Sequence, residues 1–444
     1  MRILFISTDL IAGDLARILS KEGHDVRLYI QDKNRRKNFE GLVQKTDDWR
    51  KELTWVGKDG LIVFDDVGYG KHQDRLRKQG YSVFGGSELG DKLEIDREYG
   101  QEIFKKYGIK TAPLKDFRNI QDAITFIEKD RTAWVVKQNN HHYSKKLNYV
   151  GSLKDGRDVI SFLKNNLGNP HLKNEKISLH KRIFGVEIGA GRYFNGTDWV
   201  GPIEINLEHT HLFPNEVGPL TSEMGTLAWY TKNEANKLWQ ATTAKLKPYL
   251  QEIGFRGDIE INSIVNKTGA YALEATARFG SPIIHLHEEL HLSPWGEFLK
   301  SVADGKQHPF KYKKGYGIVT LIAIPPFPYG DEDKTELLTG TEIFFDRIKK
   351  EDWNSIHFEE VSVKHHKGTP HYYISDNRGY ILYVTASNKS LRKAQEKIHT
   401  LIQKIHVPKM MYREDIGSKF LREDKETLKK LGYIKQDWHD KYLN

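Results

Sequence analysis

Two glutamates on what read as neighbouring strands are the first residues that could do chemistry. Strands Asp258 to Val265 and Tyr271 to Thr276 are joined across Asn266-Lys267-Thr268-Gly269, a turn-forming composition, so Glu260 and Glu274 can stand side by side. Adjacent carboxylates repel unless a cation bridges them, and Mg²⁺ takes one or two carboxylates together with phosphate oxygens. Salt bridges to Arg256 and Arg278 are the plainer alternative. Arg278, four residues beyond Glu274 and just before Phe279-Gly280, adds a planar donor fork. Lys137 ends the apolar strand Ala133-Trp134-Val135-Val136-Lys137, where its stem can pack while the ammonium faces a cleft; a solvated edge charge is the alternative. The stretch 215–226 holds Gly218, Pro219, Thr221, Ser222, Glu223 and Gly225 with hardly any hydrophobic pattern. It reads as a loop too long for a mere connector, able to close over a substrate.

The elements that must position these residues fall into blocks. Strand Ile3 to Ser7, a helical pattern Leu15 to Glu22 stopped by Gly23, and strand Val26 to Ile30 make a βαβ unit. A second round follows: strand Leu61 to Phe64, a basic helix ending before Gly80, and strand Ser82 to Phe84. The glycine fingerprint of dinucleotide folds is missing; Ser7 to Gly13 stands in its place, so a nicotinamide or flavin role has no support. From Arg97 the texture becomes α+β. Helices Arg97 to Tyr107 and Ile120 to Glu128 precede the Lys137 strand, and strands Ile177 to Arg182 and Glu187 to Phe194 lead to an Asn195-Gly196 hairpin. A helix is expected over Asn233 to Glu252. Strand Gly317 to Ile324 opens a last unit, which continues through strand Tyr380 to Thr385 into a helix from Ser390 to Ile405. Leu421 to Asn444 reads as a charged, helical, solvated extension.

Composition bounds the chemistry. The 444 residues suit about three domains, and 38% hydrophobic with 11% aromatic residues is a globular composition, not a disordered one. With no cysteine, thiol nucleophiles, iron–sulfur clusters and Cys-ligated zinc are excluded. The balance of 69 basic against 60 acidic residues, net +9, is too dilute for a protein whose main task is binding a polyanion. No apolar run reaches membrane-spanning length, and a cytoplasmic enzyme without membrane or nucleic-acid partners is expected. Two rivals come from other classes. His287-Glu288-Glu289-Leu290-His291 fits the zinc-protease pattern, but Pro294 would cut the helix short, so a helix with exposed histidines is preferred. A basic surface at Asn34-Arg35-Arg36-Lys37 and Lys145-Lys146 could hold a nucleic acid; scattered solvated charge is the simpler reading.

At these residues the chain resembles the ATP-grasp family, and within it the phosphoribosylamine–glycine ligases. Glu274-Ala275-Thr276-Ala277-Arg278-Phe279-Gly280-Ser281-Pro282 is similar to that family's Glu-Phe-Asn-x-Arg-Phe-Gly-Asp-Pro segment. Gly218-Pro219 to Met224-Gly225 is similar to its Gly-Pro-Asn-Thr-Gly-Gly-Met-Gly loop. Val384-Thr385-Ala386, Ala394-Gln395 and Tyr412-Arg413-Glu414-Asp415-Ile416-Gly417 resemble its C-terminal domain. The resemblance implies an α/β and α+β chain: a Rossmann-like (pre-ATP-grasp) parallel sheet over 1–96, an ATP-grasp domain over 97–310, a C-terminal α/β domain over 311–420 and a charged helical extension over 421–444.

The resemblance also implies the chemistry. ATP would be clamped between two α+β subdomains with Arg97 and Lys137 on its phosphates, the Lys181 to Ile183 backbone beside adenine, and Glu187 facing the sugar. Mg²⁺ or Mn²⁺ would be held by Glu260, Glu274 and Thr276, the last replacing the family's Asn. Pro219, Thr221, Glu223, Gly225 and Arg278 would face the substrates, with Arg278 and Lys137 acting in catalysis. A carboxylate would attack the γ-phosphate, and an amine would then attack the acyl phosphate; a modified nucleotide is the alternative amine acceptor. Small-molecule carboxylate and amine partners and a monomer or homodimer follow. The departures are the N-terminal turn Ser7 to Gly13, the flap Gln138 to Lys146 where the family is glycine-rich, Ser222-Glu223 for Gly-Gly, and Ser281-Pro282-Ile283 for Asp-Pro-Glu.

Overall fold

Aliphatic runs without alternation mark strands buried on both faces, and the N-terminal sheet is built from them. In the computed structural model, which describes residues 1–138, 148–169, 177–329 and 338–435, the chain divides into two compact units. The larger comprises Met1–Asp91, Ile188–Glu260 and Thr276–Asn444; the smaller comprises Lys92–Glu187 and Ile261–Ala275. Strands Arg2–Ser7, Asp25–Ile30, Gln44–Thr46, Leu61–Phe64 and Val83–Phe84 form a five-stranded parallel sheet of the larger unit, with Arg2–Ser7 in the middle. Ile3, Leu4, Phe5, Leu61 and Val63 are wholly buried in it. The edge strand Gln44–Thr46 is short and polar and leaves no pattern in the sequence.

The larger unit also carries a long antiparallel sheet. Strands Val186–Asn195, Trp199–Phe213, Val217–Thr231, Tyr316–Ala323, Tyr380–Asn388 and Ile356–Phe358 neighbour one another in that order. The expected hairpin at Asn195-Gly196 is present: Asn195 Oδ1 accepts from the amides of Thr197 and Asp198, and Gly196 has φ +92. Helix Ile283–Leu290 packs Ile283, Leu286 and Leu290 against Met224, Val319, Leu321 and Tyr383 of this sheet.

Three expectations are corrected here. The stretch 215–226 is not a closing loop: from Val217 it is strand, paired with Trp199–Phe213 from Phe213↔Val217 to Ile203↔Thr231. The helix expected over Asn233 to Glu252 is broken into Lys237–Ala241 and Lys247–Glu252. Asn236 caps the first, Thr242 leaves helical geometry at φ −126, ψ −105, and Pro248 in the first turn of the second has no amide with which to continue the ladder. The C-terminal extension is helical over Lys425–Lys430, yet it is no solvated face. Leu428 is wholly buried and Tyr433 and Ile434 are buried as well; residues 436–444 lie outside the described part.

The smaller unit is a four-stranded sheet in the order Leu114–Phe117, Ile177–Lys181, Trp134–Gln138, Tyr149–Val150, with all pairs antiparallel. Helices Ile120–Asp130 and Arg157–Asn165 cover one face, burying Ile124, Ile127, Val159 and Leu163 against Trp134, Val136, Ile177 and Leu179. Helix Arg97–Lys106 starts at Asp96, whose side chain accepts from the Tyr99 amide at 3.1 Å. Strand Arg256–Asn266 crosses the division between the units after Glu260, so Glu260 belongs to the larger unit and Glu274 to the smaller.

Candidate active site

In the smaller unit, strand alternation decides what is presented away from the helices. With Val136 and Leu179 in the core, Lys137, Ser178 and His180 take the opposite face, and Asp116 stands opposite Ser178. Arg97, in the first turn of its helix, joins Thr111, Pro113, Asp116, Ser178 and His180 around a cavity of about 720 Å³. Burial, then the positive charges of Lys137 and Arg97, push the His180 imidazole down to about 3, so it is neutral at physiological pH. The Arg97 guanidinium is itself lowered by burial and supported by the Glu274 carboxylate. Two cations beside a neutral imidazole, with an exposed carboxylate within electrostatic reach of Arg97, make a pocket suited to a polyphosphate and its metal.

The other residues assigned to the nucleotide lie on the same unit. The Lys181 amide donates to the Pro113 carbonyl at 2.8 Å and the Arg182 amide to that of Ala133 at 2.9 Å, which fixes the chain leading to half-buried Ile183. Glu187 is exposed and accepts from Asn262 Nδ2 at 3.0 Å. Asp116, Ser178 and Asn262 went unnoticed in the sequence, although alternation along the two paired strands carries the first two. The flap residues 139–147 lie outside the described part.

In the larger unit Glu260 sits in a buried acidic nest. Its Oε1 accepts from Asn206 Nδ2 at 2.7 Å. Burial and the like charge of Glu204 push its carboxyl up to about 8; Glu204 is raised to about 8 and Asp258 to about 7, burial being the main cause in each. Arg278 acts against the rise at Glu260, while its Nε lies 3.5 Å from Asp66 and its guanidinium donates to the Phe279 carbonyl at 2.8 Å. Arg256 donates to the Ala303 carbonyl at 2.5 Å. Thr276 is half-buried. Glu260 and Thr276 of the larger unit and Glu274 of the smaller each offer oxygen, the donor type that a hard cation such as Mg²⁺ takes.

The four substrate-facing residues proposed on 217–231 are parts of its hairpin. Thr221 Oγ1 donates to the Thr210 carbonyl at 2.8 Å, buried Glu223 accepts from Thr226 Oγ1, and Pro219 is half-buried. Gly225 lies against strand Tyr316–Ala323, where a Cβ would stand 2.4 Å from the Val319 carbonyl oxygen. The first turn of the chain is filled from within. Buried Asp65 accepts from Ser7 Oγ at 2.6 Å and from the amides of Thr8 and Ala12 at 3.3 and 3.1 Å, so a carboxyl of the chain itself occupies the donors an anion would use.

The zinc-protease pattern does not form its site, and its histidines are buried rather than exposed. Helix Ile283–Leu290 stops before His291, which stacks on Phe310 at 4.1 Å, while His287 faces Tyr193, Glu204 and Asp258. The basic run 34–37 also fails as a surface: Arg35 is 2% exposed and bound by carboxylates, and Arg36 donates to the Ile30 carbonyl. No helix among the described residues is long and apolar enough to cross a membrane.

Residues 95–283 match the family model for the ATP-grasp (A) domain of phosphoribosylglycinamide synthetase. A phosphoribosylamine–glycine ligase from Halalkalibacterium halodurans is 23% identical over 380 residues, covering 84% of this chain and 83% of the relative. Among solved structures, a phosphoribosylamine–glycine ligase from Thermotoga maritima covers 94% of this chain and 100% of its own at TM-score 0.67 and 20% identity. A biotin carboxylase from Campylobacter jejuni covers 97% and 98% at TM-score 0.63 and 11% identity, so the fold extends well beyond one reaction. Residues 95–283 thus match an ATP-grasp (A) domain, and over most of its length the chain shares its fold with phosphoribosylamine–glycine ligases and resembles them as a divergent relative.

Proposed function

We propose that the chain is an ATP-dependent carboxylate–amine ligase of the phosphoribosylamine–glycine ligase kind, serving purine biosynthesis in the cytoplasm as a monomer or homodimer. The observation that supports this reading is that two cations act on neutral His180, Arg97 from the start of its helix at the same cavity and Lys137 from the neighbouring strand of the smaller unit. A carboxylate oxygen attacks the γ-phosphorus, the bond to the β,γ-bridging oxygen breaks, and ADP leaves with an acyl phosphate remaining. The amine then attacks the acyl carbon, giving the amide, phosphate and a proton. Arg97 and Lys137 hold the phosphates and offset charge spreading over the transferred group. Arg278 offers its fork to the carboxylate or acyl phosphate, and Glu187 and the 181–183 backbone orient the nucleoside. Glu260, Glu274 and Thr276 would hold Mg²⁺ or Mn²⁺, which supplies further charge neutralisation at the phosphates when bound. No side-chain nucleophile is needed, in keeping with a chain without cysteine.

The test is ADP release from Mg²⁺-ATP against a panel of carboxylates and amines that includes glycine with phosphoribosylamine. Amine-dependent ADP formation that Glu274→Ala abolishes, with unchanged circular dichroism, is the expected result. Full turnover in that variant would remove the metal assignment, and failure of the wild-type chain to bind ATP would remove the whole reading.

A further inference from the structure

Glu288, which the sequence pattern joins to His287 and His291, is engaged by two other histidines. One of its oxygens, Oε2, lies 3.2 Å from His285 Nδ1 and 2.7 Å from His357 Nδ1. His285 and Glu288 are three apart on helix Ile283–Leu290 and so share a face, while His357 comes from strand Ile356–Phe358. All three side chains are 1% exposed, and one ligand atom from each lies within 4.8 Å of the others. The other oxygen, Oε1, is buried and has no hydrogen-bond partner.

We propose that His285, Glu288 and His357 form a structural site for a zinc-type divalent ion, separate from the ATP metal. Two imidazole nitrogens and a carboxylate are the donor set such an ion takes, whereas Mg²⁺ prefers oxygen alone. Donors bonded at about 2.0 Å in a tetrahedron stand about 3.3 Å apart; the 3.2 Å separation to His285 matches this, and the 2.7 Å separation to His357 would have to widen as the ion enters. A surrounding shell is present as well. His357 Nε2 lies 3.1 Å from Thr385 Oγ1, which orients the ring with Nδ1 toward the centre. Asp14 Oδ2 is 3.2 Å from His357 Nδ1 and is itself gripped by Arg17 through both oxygens at 2.6 and 2.7 Å. That carboxylate can complete the coordination or offset the ion's charge. On binding, the ion replaces the Nδ1 protons that otherwise bridge to Glu288. The displaced protons pass to solvent, and each ring binds the ion through Nδ1 while its proton stays on Nε2. The ion would tie helix Gly13–Lys21, helix Ile283–Leu290 and strand Ile356–Phe358 together.

The test uses the full chain, stripped with chelator, equilibrated with ZnSO₄, desalted and assayed by atomic emission. About one zinc per chain and a raised thermal midpoint are expected, with Co²⁺ giving a visible d–d band. Glu288→Gln and His357→Gln should lose zinc affinity by about tenfold or more, whereas Glu274→Ala, which removes an ATP-metal donor, should retain it. Zinc retention in Glu274→Ala separates this proposal from the ligase reading. Failure of the wild-type chain to retain zinc or cobalt, or zinc lost in Glu274→Ala but kept in Glu288→Gln, would overturn it.

Discussion

At position 189 an added Cβ would stand 2.1 Å from Glu260 Oε1 and 2.4 Å from Asn206 Oδ1. Glycine is what lets a buried carboxyl and its amide partner fit beside strand Val186–Asn195. Gly189→Ala is expected to cost about 1–3 kcal/mol, read as a lower urea midpoint at unchanged m-value, and to lower ligase turnover through the displaced Glu260. On the smaller unit, Lys137→Ala removes one of the two cations beside His180. It should weaken ATP binding by about tenfold or more, the scale of one charge-assisted contact, leaving the thermal midpoint within a degree or two; equal ATP affinity would detach Lys137 from the phosphates. Lys137, Glu274 and Arg278 could be singled out as candidates from the sequence because motif and strand end coincide there. Ser178, His180 and Asp116 become candidates only once strand register is known, and Glu204 and Asp258 only once burial and neighbours raise their carboxyls.

Among elements, hairpins and aliphatic strands were readable, since Asn-Gly turns and unbroken apolar runs act locally. The strand Val217–Thr231 was not, because Gly218, Pro219 and Ser222 carry the composition of a loop while long-range pairing to Trp199–Phe213 decides the outcome. One buried histidine reports on this strand pair. His209, opposite Gly225, accepts from the Gly417 amide at 3.1 Å, and burial with nearby Arg413 pushes it down to about 4. Between about pH 4 and 6.5 the unfolded chain binds more protons there than the folded one, so this contribution is present above 6.5 and is lost as pH falls toward 4. The full linkage is about 3 kcal/mol. His209→Gln removes that proton uptake, so the stability gap between wild type and variant should shrink by up to about this amount from pH 7 to 4. A constant gap across urea titrations at the two pH values would contradict it.

Across the whole chain, the contacts least visible in the sequence are those between charges hundreds of residues apart. Asn34-Arg35-Arg36-Lys37 reads as solvated charge, yet Arg35 is buried with Nη1 at 2.9 Å from Asp9, Nη2 at 2.9 and 3.1 Å from Glu359 and Glu360, and Nε at 3.0 Å from Asp376. Nothing local marks that pairing, because three of the four acids come from the C-terminal part of the chain. Burial raises the Glu359 and Glu360 carboxyls, and the Arg35 charge works against that rise. Removing the guanidinium leaves buried acids without their cation, a loss on the order of 3–5 kcal/mol. Arg35→Met, similar in length and apolar, is therefore expected to unfold far more easily at pH 8. At pH 5, where the orphaned carboxyls hold protons and carry little charge, the penalty should be smaller. Urea unfolding of both proteins at the two pH values measures the difference directly. A penalty that grows on acidification would mean that the acids do not depend on Arg35, and the other links between the N-terminal part and the C-terminal strands, His357 with Asp14 and Arg378 with Asp9 and Asp32, would carry the attachment instead.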